Sequence, residues 1–169
     1  MRKITTTLVS ILFGGILLAQ SNNDSIPERP VNGIVINLLG DASMISVNYE
    51  RLLLIRETFF IAGDLGLGYN EEFELNIFGS YSAPDKYLTI PHRITGNVGR
   101  GQHFFEFGLG GTVITGNTNQ NYLFYPILGY RLQPIKSNRF NFRVFGEFPF
   151  PRVKDIVFTP FGLSLGLYF

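Results

Sequence analysis

The sequence predicts an all-β fold: a closed, antiparallel, eight-stranded transmembrane β-barrel that follows a cleaved signal peptide. Three observations predict it. The chain ends Phe161-Gly162-Leu163-Ser164-Leu165-Gly166-Leu167-Tyr168-Phe169, an alternation of large apolar residues with Gly, Ser and Tyr that stops on an aromatic carboxyl terminus. A strand with one face on lipid and the other on a barrel interior requires this period of two. At the other end, Arg2 and Lys3 precede a mostly apolar, uncharged run over 4–18, with small-residue cleavage sites after Ala19 or Gln20. Beyond that run nothing approaches a continuous apolar helix length. A mature chain that spans a membrane must therefore close as a barrel, because lipid leaves open backbone edges unsatisfied.

Residues 1–20 have the layout of a secretory signal peptide. The competing reading, an uncleaved anchor helix, needs about 20 apolar residues, and Thr5, Thr6, Thr7 and Ser10 interrupt the run. There is no cysteine, hence no lipid-anchor site and no disulfide framework. Residues 21–32, which include the polar stretch SNNDSIPERP, read as a flexible periplasmic lead. Residues 33–169 are the barrel. Removing Arg2 and Lys3 from the 14 basic residues leaves 12 against 13 acidic ones, a mature net charge of about −1. Nucleic-acid binding thereby loses its usual basic footprint. The 19 glycines and 17 phenylalanines are rich even for an all-β chain.

Eight strand-like runs are expected, at 33–39, 44–53, 59–70, 87–99, 103–115, 122–132, 140–148 and 159–169. The first is short and β-branched. In the second, Ile45, Val47 and Tyr49 alternate with Asn48 and Glu50; in the third, Ile61, Leu65 and Leu67 alternate with Asp64, Gly66 and Gly68. The fourth sets Arg93, Thr95 and Asn97 on one face, and its Pro91 argues against helix. The fifth alternates Phe105, Phe107, Leu109 and Val113 with Glu106, Gly108 and Gly110. The sixth carries Arg131 and the seventh Arg143 with Glu147. The eighth opposes Phe161, Leu163, Leu165 and Leu167 to Ser164 and Tyr168. An even count suits a bacterial barrel.

With both termini in the periplasm, the connections 54–58, 100–102 and 133–139 are short periplasmic turns. The longer ones, 71–86, 116–121 and 149–158, face outside, which is the usual asymmetry. The first outer connection, around Gly40-Asp41-Ala42-Ser43, is exceptionally tight.

Taking the apolar face as lipid-facing collects Glu50, Asp64, Arg93, Glu106, Arg131, Arg143 and Glu147 inside. A soluble lipocalin-like barrel would reverse the faces. Its exterior would then need far more charge than seven ions over eight strands, since soluble surfaces run at about 25–35% charged residues. No lysine lies on the polar face; Lys86, Lys136 and Lys154 fall in connections. Planar guanidinium forks paired with carboxylates suit a desolvated interior. An eight-stranded bore is just wide enough for side chains to fill it. The seven residues, with Tyr125 and Tyr168, are therefore expected to form a structural salt-bridge plug.

The segments GQHFFEFGLGGT, LGYRLQP and FTPFGLSLGLYF are similar to those of short barrel proteins of Bacteroidota-type bacteria, and the chain resembles small outer-membrane barrels of the OmpA/OmpX size class over 33–169. The resemblance implies an outer-membrane location. It also implies that the barrel-assembly machinery recognises the final strand, here around Tyr168 and Phe169. It is nearly silent on activity. Trp is absent, so Tyr49, Tyr69, Tyr87, Tyr122, Tyr130 and several Phe would form the interfacial girdles.

Other chemistry is thinly supported. A lipid-modifying enzyme needs a His beside a Ser or carboxylate. His103 adjoins an expected periplasmic turn. His92 lies mid-strand next to Arg93, on the lipid side, with no Ser partner in its own strand. Gly108-Leu109-Gly110-Gly111 sits inside a strand and precedes no helix that would cradle phosphate. The acidic Glu71, Glu72 and Glu74 read as a solvated loop rather than a cation site. Asn117-Thr118-Asn119 is a turn. No cofactor, no metal and no catalytic residue are expected. The expected role is structural or interactive, with outer-membrane lipid as surroundings and an extracellular partner for the 71–86 loop. A lipid-modifying enzyme using His92 and a narrow gated channel are the alternatives.

Overall fold

A computed structural model describes residues 29–71, 86–116, 120–135, 138–150 and 158–169. The expected signal peptide, residues 21–28 of the lead and the interior of the 71–86 loop lie outside the described residues. The strands are β1 (Asn32–Leu38), β2 (Ile45–Arg56), β3 (Phe59–Glu71), β4 (Lys86–Arg100), β5 (His103–Thr115), β6 (Tyr122–Leu132), β7 (Phe140–Glu147) and β8 (Phe161–Tyr168). Each pairs antiparallel with the next, and β8 returns to β1, so the sheet closes into a barrel in strand order. Closure leaves no free sheet edge.

The register follows from which side chains must face inward. Gly33 of β1 lies opposite Tyr168 of β8, and Val35 opposite Gly166. A Cβ at 33 would come within 2.9 Å of the Tyr168 ring, which would have to shift to admit it. Between β4 and β5 the approach is closer still. A Cβ on Gly108 would meet the Ile94 carbonyl oxygen at 2.3 Å and Thr95 Cα at 2.7 Å, both backbone and unable to give way. At the end of β2 the pairing shifts between Leu54 and Arg56. That irregularity carries β2 three residues beyond the expected end at 53 and shortens the turn to Glu57 and Thr58. β8 is shorter than expected because Thr159 and Pro160 precede its ladder.

The outward rows are apolar as read from the sequence: Leu67 is 71% exposed and Leu165 57%, with Ile45, Val47, Phe105 and Leu109 beside them. The interior is more layered than expected. Leu52, Phe60, Ala62, Phe104, Val35 and Tyr168 form a buried apolar cluster at the end that carries the termini. A second cluster at the other end comprises Ala42, Tyr87, Ile114, Leu123, Tyr125, Ile127 and Phe145. Glu50, Asp64, Arg93, Glu106, Arg131 and Arg143 lie between these two layers, and Glu147 lies beyond Phe145 on β7. Apolar side chains at both mouths, not the ions and two tyrosines alone, therefore close the bore.

The expected tight turn between β1 and β2 does not project outward. Residues 40–43 fold into the barrel and are buried, while Met44 is exposed. Leu39, Gly40, Asp41 and Ala42 all have left-handed backbone angles, with φ of 61°, 74°, 54° and 51°. For a residue other than glycine this costs roughly 1–2 kcal/mol. The bonds that offset it come from the barrel wall. Gly40 N–H donates to Thr159 Oγ1 at 3.0 Å, Asn70 Nδ2 to the Ala42 carbonyl at 2.6 Å, and Ser43 Oγ lies 2.6 Å from Thr89 Oγ1.

Gly108→Ala is expected to destabilise the barrel by about 1–3 kcal/mol, the usual scale of overpacking against an unyielding backbone. Gly63→Ala, whose Cβ would find its nearest neighbour at 4.0 Å, serves as the control and should change little. Urea unfolding of the two purified variants checks both.

Candidate functional site

The seven inward charges expected from the sequence occur on β2 to β7, and all are buried. Alternation alone places them there: each lies on the same row as its strand's glycines, small polar residues or capping aromatics. The centre is Arg131. Its Nη1 donates to Glu50 Oε1 at 2.8 Å and its Nη2 to Glu50 Oε2 at 2.7 Å, a bidentate fork, while Nη2 also reaches Glu106 Oε1 at 3.0 Å. Charge-assisted forks of this kind fix angle as well as distance. Arg143 shares both carboxylates, with Nη1 3.0 Å from Glu50 Oε2 and Nε 3.4 Å from Glu106 Oε2. Glu106 also accepts from Thr95 Oγ1 at 2.8 Å.

Arg93 ties this group to the inward turn. Its Nε donates to Asp64 and its Nη1 to Asp41 Oδ1 at 3.1 Å. Arg93 and Arg143 each place a guanidinium 5.0 Å from the Phe145 ring centroid. The face of an aromatic ring is electron-rich and attracts a desolvated cation.

Asp41 is the residue that sequence reasoning missed. Besides Arg93, its carboxylate accepts from Asn37 Nδ2 and from Ser46 Oγ at 3.4 Å, and its carbonyl accepts from Thr112 Oγ1 at 2.7 Å. Its N–H donates to Glu147 Oε2 at 2.8 Å. An aspartate in a four-residue turn reads as solvated, and nothing in the local pattern marks this one as buried. With it, five carboxylates stand against the guanidiniums of Arg93, Arg131 and Arg143, while a fourth buried guanidinium, Arg29, lies apart over the Phe104 ring. Glu147, expected to join an arginine pair, instead holds the backbone of the turn; among the described residues no guanidinium lies within ion-pair distance of it.

The polar groups between the ions are side chains that bond across strands or along one strand. Ser164 Oγ donates to Asn37 Oδ1, Asn48 Nδ2 to Ser46 Oγ at 2.8 Å, and Asn141 Nδ2 to Gln133 Oε1 at 3.0 Å. This arrangement binds strands to one another and fills the bore. No nucleophile in it stands beside an imidazole.

Both histidines lie on the outer wall. His92 Nε2 is 3.1 Å from the Tyr122 hydroxyl, and its Nδ1 is 3.2 Å from the Ile90 carbonyl oxygen. The absence of a side chain on Gly111, opposite His92 in register, makes room for the two rings, which stack at 5.8 Å. No Ser hydroxyl or carboxylate is among these partners of His92. His103 Nδ1 is 2.6 Å from the Tyr130 hydroxyl. Among the described residues no group of three or more His, Asp or Glu side chains is arranged to hold a metal ion. Tyr168, expected at the assembly signal, is buried beside Arg131, with its hydroxyl oxygen 3.4 Å from Nη1, while Phe169 is 61% exposed.

Arg131→Met is expected to lower the unfolding free energy by about 3–5 kcal/mol, because Glu50 and Glu106 lose a shared counter-ion in a buried setting. Asp41→Ala should cost about 1.5–3 kcal/mol, the scale of a hydrogen bond to a charged group, since Arg93 keeps Asp64. Thermal and urea unfolding of the purified variants check both. No family model, curated protein or solved structure matches the chain.

Proposed function

We propose that the chain is a bacterial outer-membrane β-barrel with a structural and interactive role: its closed lumen does not conduct, and the segment between β3 and β4 is presented to a partner outside the cell. The observation that carries this reading is the inversion of the two faces. Arg131, Glu106 and Glu147 have no exposure, whereas Leu67, Phe140 and Leu88 on the outer wall are 71%, 68% and 66% exposed. A continuous apolar wall around a whole domain far exceeds the few hundred Å² that soluble monomers expose. In hydrocarbon it is matched, at roughly 1.5–3 kcal/mol for each large side chain withdrawn from water. β2 to β6 have 11 to 15 residues each, enough for tilted spanning strands, which need about 9–11.

The ionic middle layer between two apolar layers supports a structural role over a channel. A conducting path would have to part Arg131 from Glu50 and also displace the clusters at both mouths. The alternation of β8 and the resemblance to small Bacteroidota-type barrels support delivery through the barrel-assembly machinery.

Removing Tyr168 and Phe169 should abolish outer-membrane insertion, because Tyr168 pairs with Gly33 where the barrel closes and an unclosed edge in hydrocarbon costs several kcal/mol per backbone group. Deleting part of 72–85 should leave insertion intact. Membrane fractionation, read beside the mobility difference between unheated and heated samples on gels, tests both. A truncated chain that accumulated as folded, soluble periplasmic protein would overturn the reading in favour of a lipocalin-like barrel. In planar bilayers the intact protein should show no steady conductance; reproducible ion-selective steps would replace the structural role with a channel.

A further inference from the structure

We propose that the end of the barrel carrying both termini bears a basic collar that holds the phosphate groups of anionic phospholipids. The proposal rests on the lipid-facing wall argued above and adds which lipid surrounds one rim. Arg56 ends β2, Arg100 ends β4 and Arg139 immediately precedes β7, so three exposed guanidiniums are spread around the same rim. Arg51, half-buried on the outward row of β2, adds a fourth. The described acidic side chain at this rim is Glu57. At the opposite rim the exposed or half-buried ionised side chains among the described residues are Lys86 and Glu71, which face each other in register and cancel.

Among the described residues the positive charge is therefore one-sided. Arg51, Arg56, Arg100 and Arg139 each offer a planar fork that matches two oxygens of a phosphate. Hydroxyl-bearing rings mark the headgroup level just inside the collar. Tyr49, two residues from Arg51, donates to Asn32 Oδ1 at 2.7 Å, and the Tyr130 hydroxyl meets His103, which lies opposite Arg100. Tyrosines of this kind sit where the hydrocarbon gives way to headgroups. A headgroup at that depth places its phosphate within reach of the arginines.

The test is spin-label spectroscopy of lipids at the barrel boundary in phosphatidylcholine vesicles holding the folded protein. Labelled phosphatidylglycerol is compared with labelled phosphatidylcholine. An arginine near a charged lipid surface is worth about a fivefold preference, so phosphatidylglycerol should be favoured about fivefold or more. The preference should fall toward one in the Arg56→Gln, Arg100→Gln, Arg139→Gln triple variant, and in wild type at 0.5 M salt, where screening shortens the reach of each charge. Equal association of the two lipids in wild type, or a preference that neither the variant nor salt reduces, overturns the collar. The salt arm decides by itself should the variant not fold. If neither lipid shows a motionally restricted population, the lipid-facing wall falls and the collar with it, an outcome distinct from restricted lipid without preference.

Discussion

Three guanidiniums set among five carboxylates hold the barrel's interior together, and much else in the structure follows from having to bury them. Arg131 clamps Glu50 of β2 and Glu106 of β5 from its place on β6, and Arg143 of β7 binds the same two acids. Strands far apart in sequence thus share ions. Such a network is a poor source of net stability compared with an apolar core of the same volume. Its value lies in specification. Slipping any of these strands by one residue would turn an arginine or carboxylate into the outer wall and an isoleucine or leucine into the ions, so one register is greatly favoured.

The inward turn shows how far the network reaches. Residues other than glycine ordinarily avoid left-handed angles, yet Leu39, Asp41 and Ala42 keep them in a run of four that includes Gly40. Asp41 supplies a carboxylate to Arg93, a carbonyl to Thr112 and an amide to Glu147, so the strained turn is tied to β4, β5 and β7 together. The turn acts as a cork for one mouth, with Ala42 packed in the apolar cluster there. At the other mouth Phe60 and Phe104 meet edge to face at 4.8 Å, and Arg131 lies over the Phe60 ring.

Most of the barrel was legible because a two-residue period survives translation into structure almost unchanged. The eight strands lie within about three residues of their expected bounds, and the seven inward charges were identifiable from alternation plus the absence of lysine. Two features were not legible. Apolar side chains at the strand ends, such as Leu52, Phe104 and Ile114, sit in runs where both faces are apolar, so alternation assigns them to neither face. Asp41 depends on a turn reversing direction into the bore, and that is decided by partners 52 to 106 residues away in sequence. The role of His92 is a third case: its partner Tyr122 lies two strands away, across the notch left by Gly111.

The central claim is that the apolar wall faces hydrocarbon while the ionic face is sealed inside. The chain has no tryptophan, so a single introduced one reports its own surroundings. Leu67→Trp places it on the wall and Tyr125→Trp in the interior. In vesicles of brominated lipid, the account predicts strong quenching of the first and little of the second, with aqueous iodide quenching neither. Iodide quenching of Leu67→Trp without quenching by brominated lipid would mean that the wall faces water, and would contradict the account.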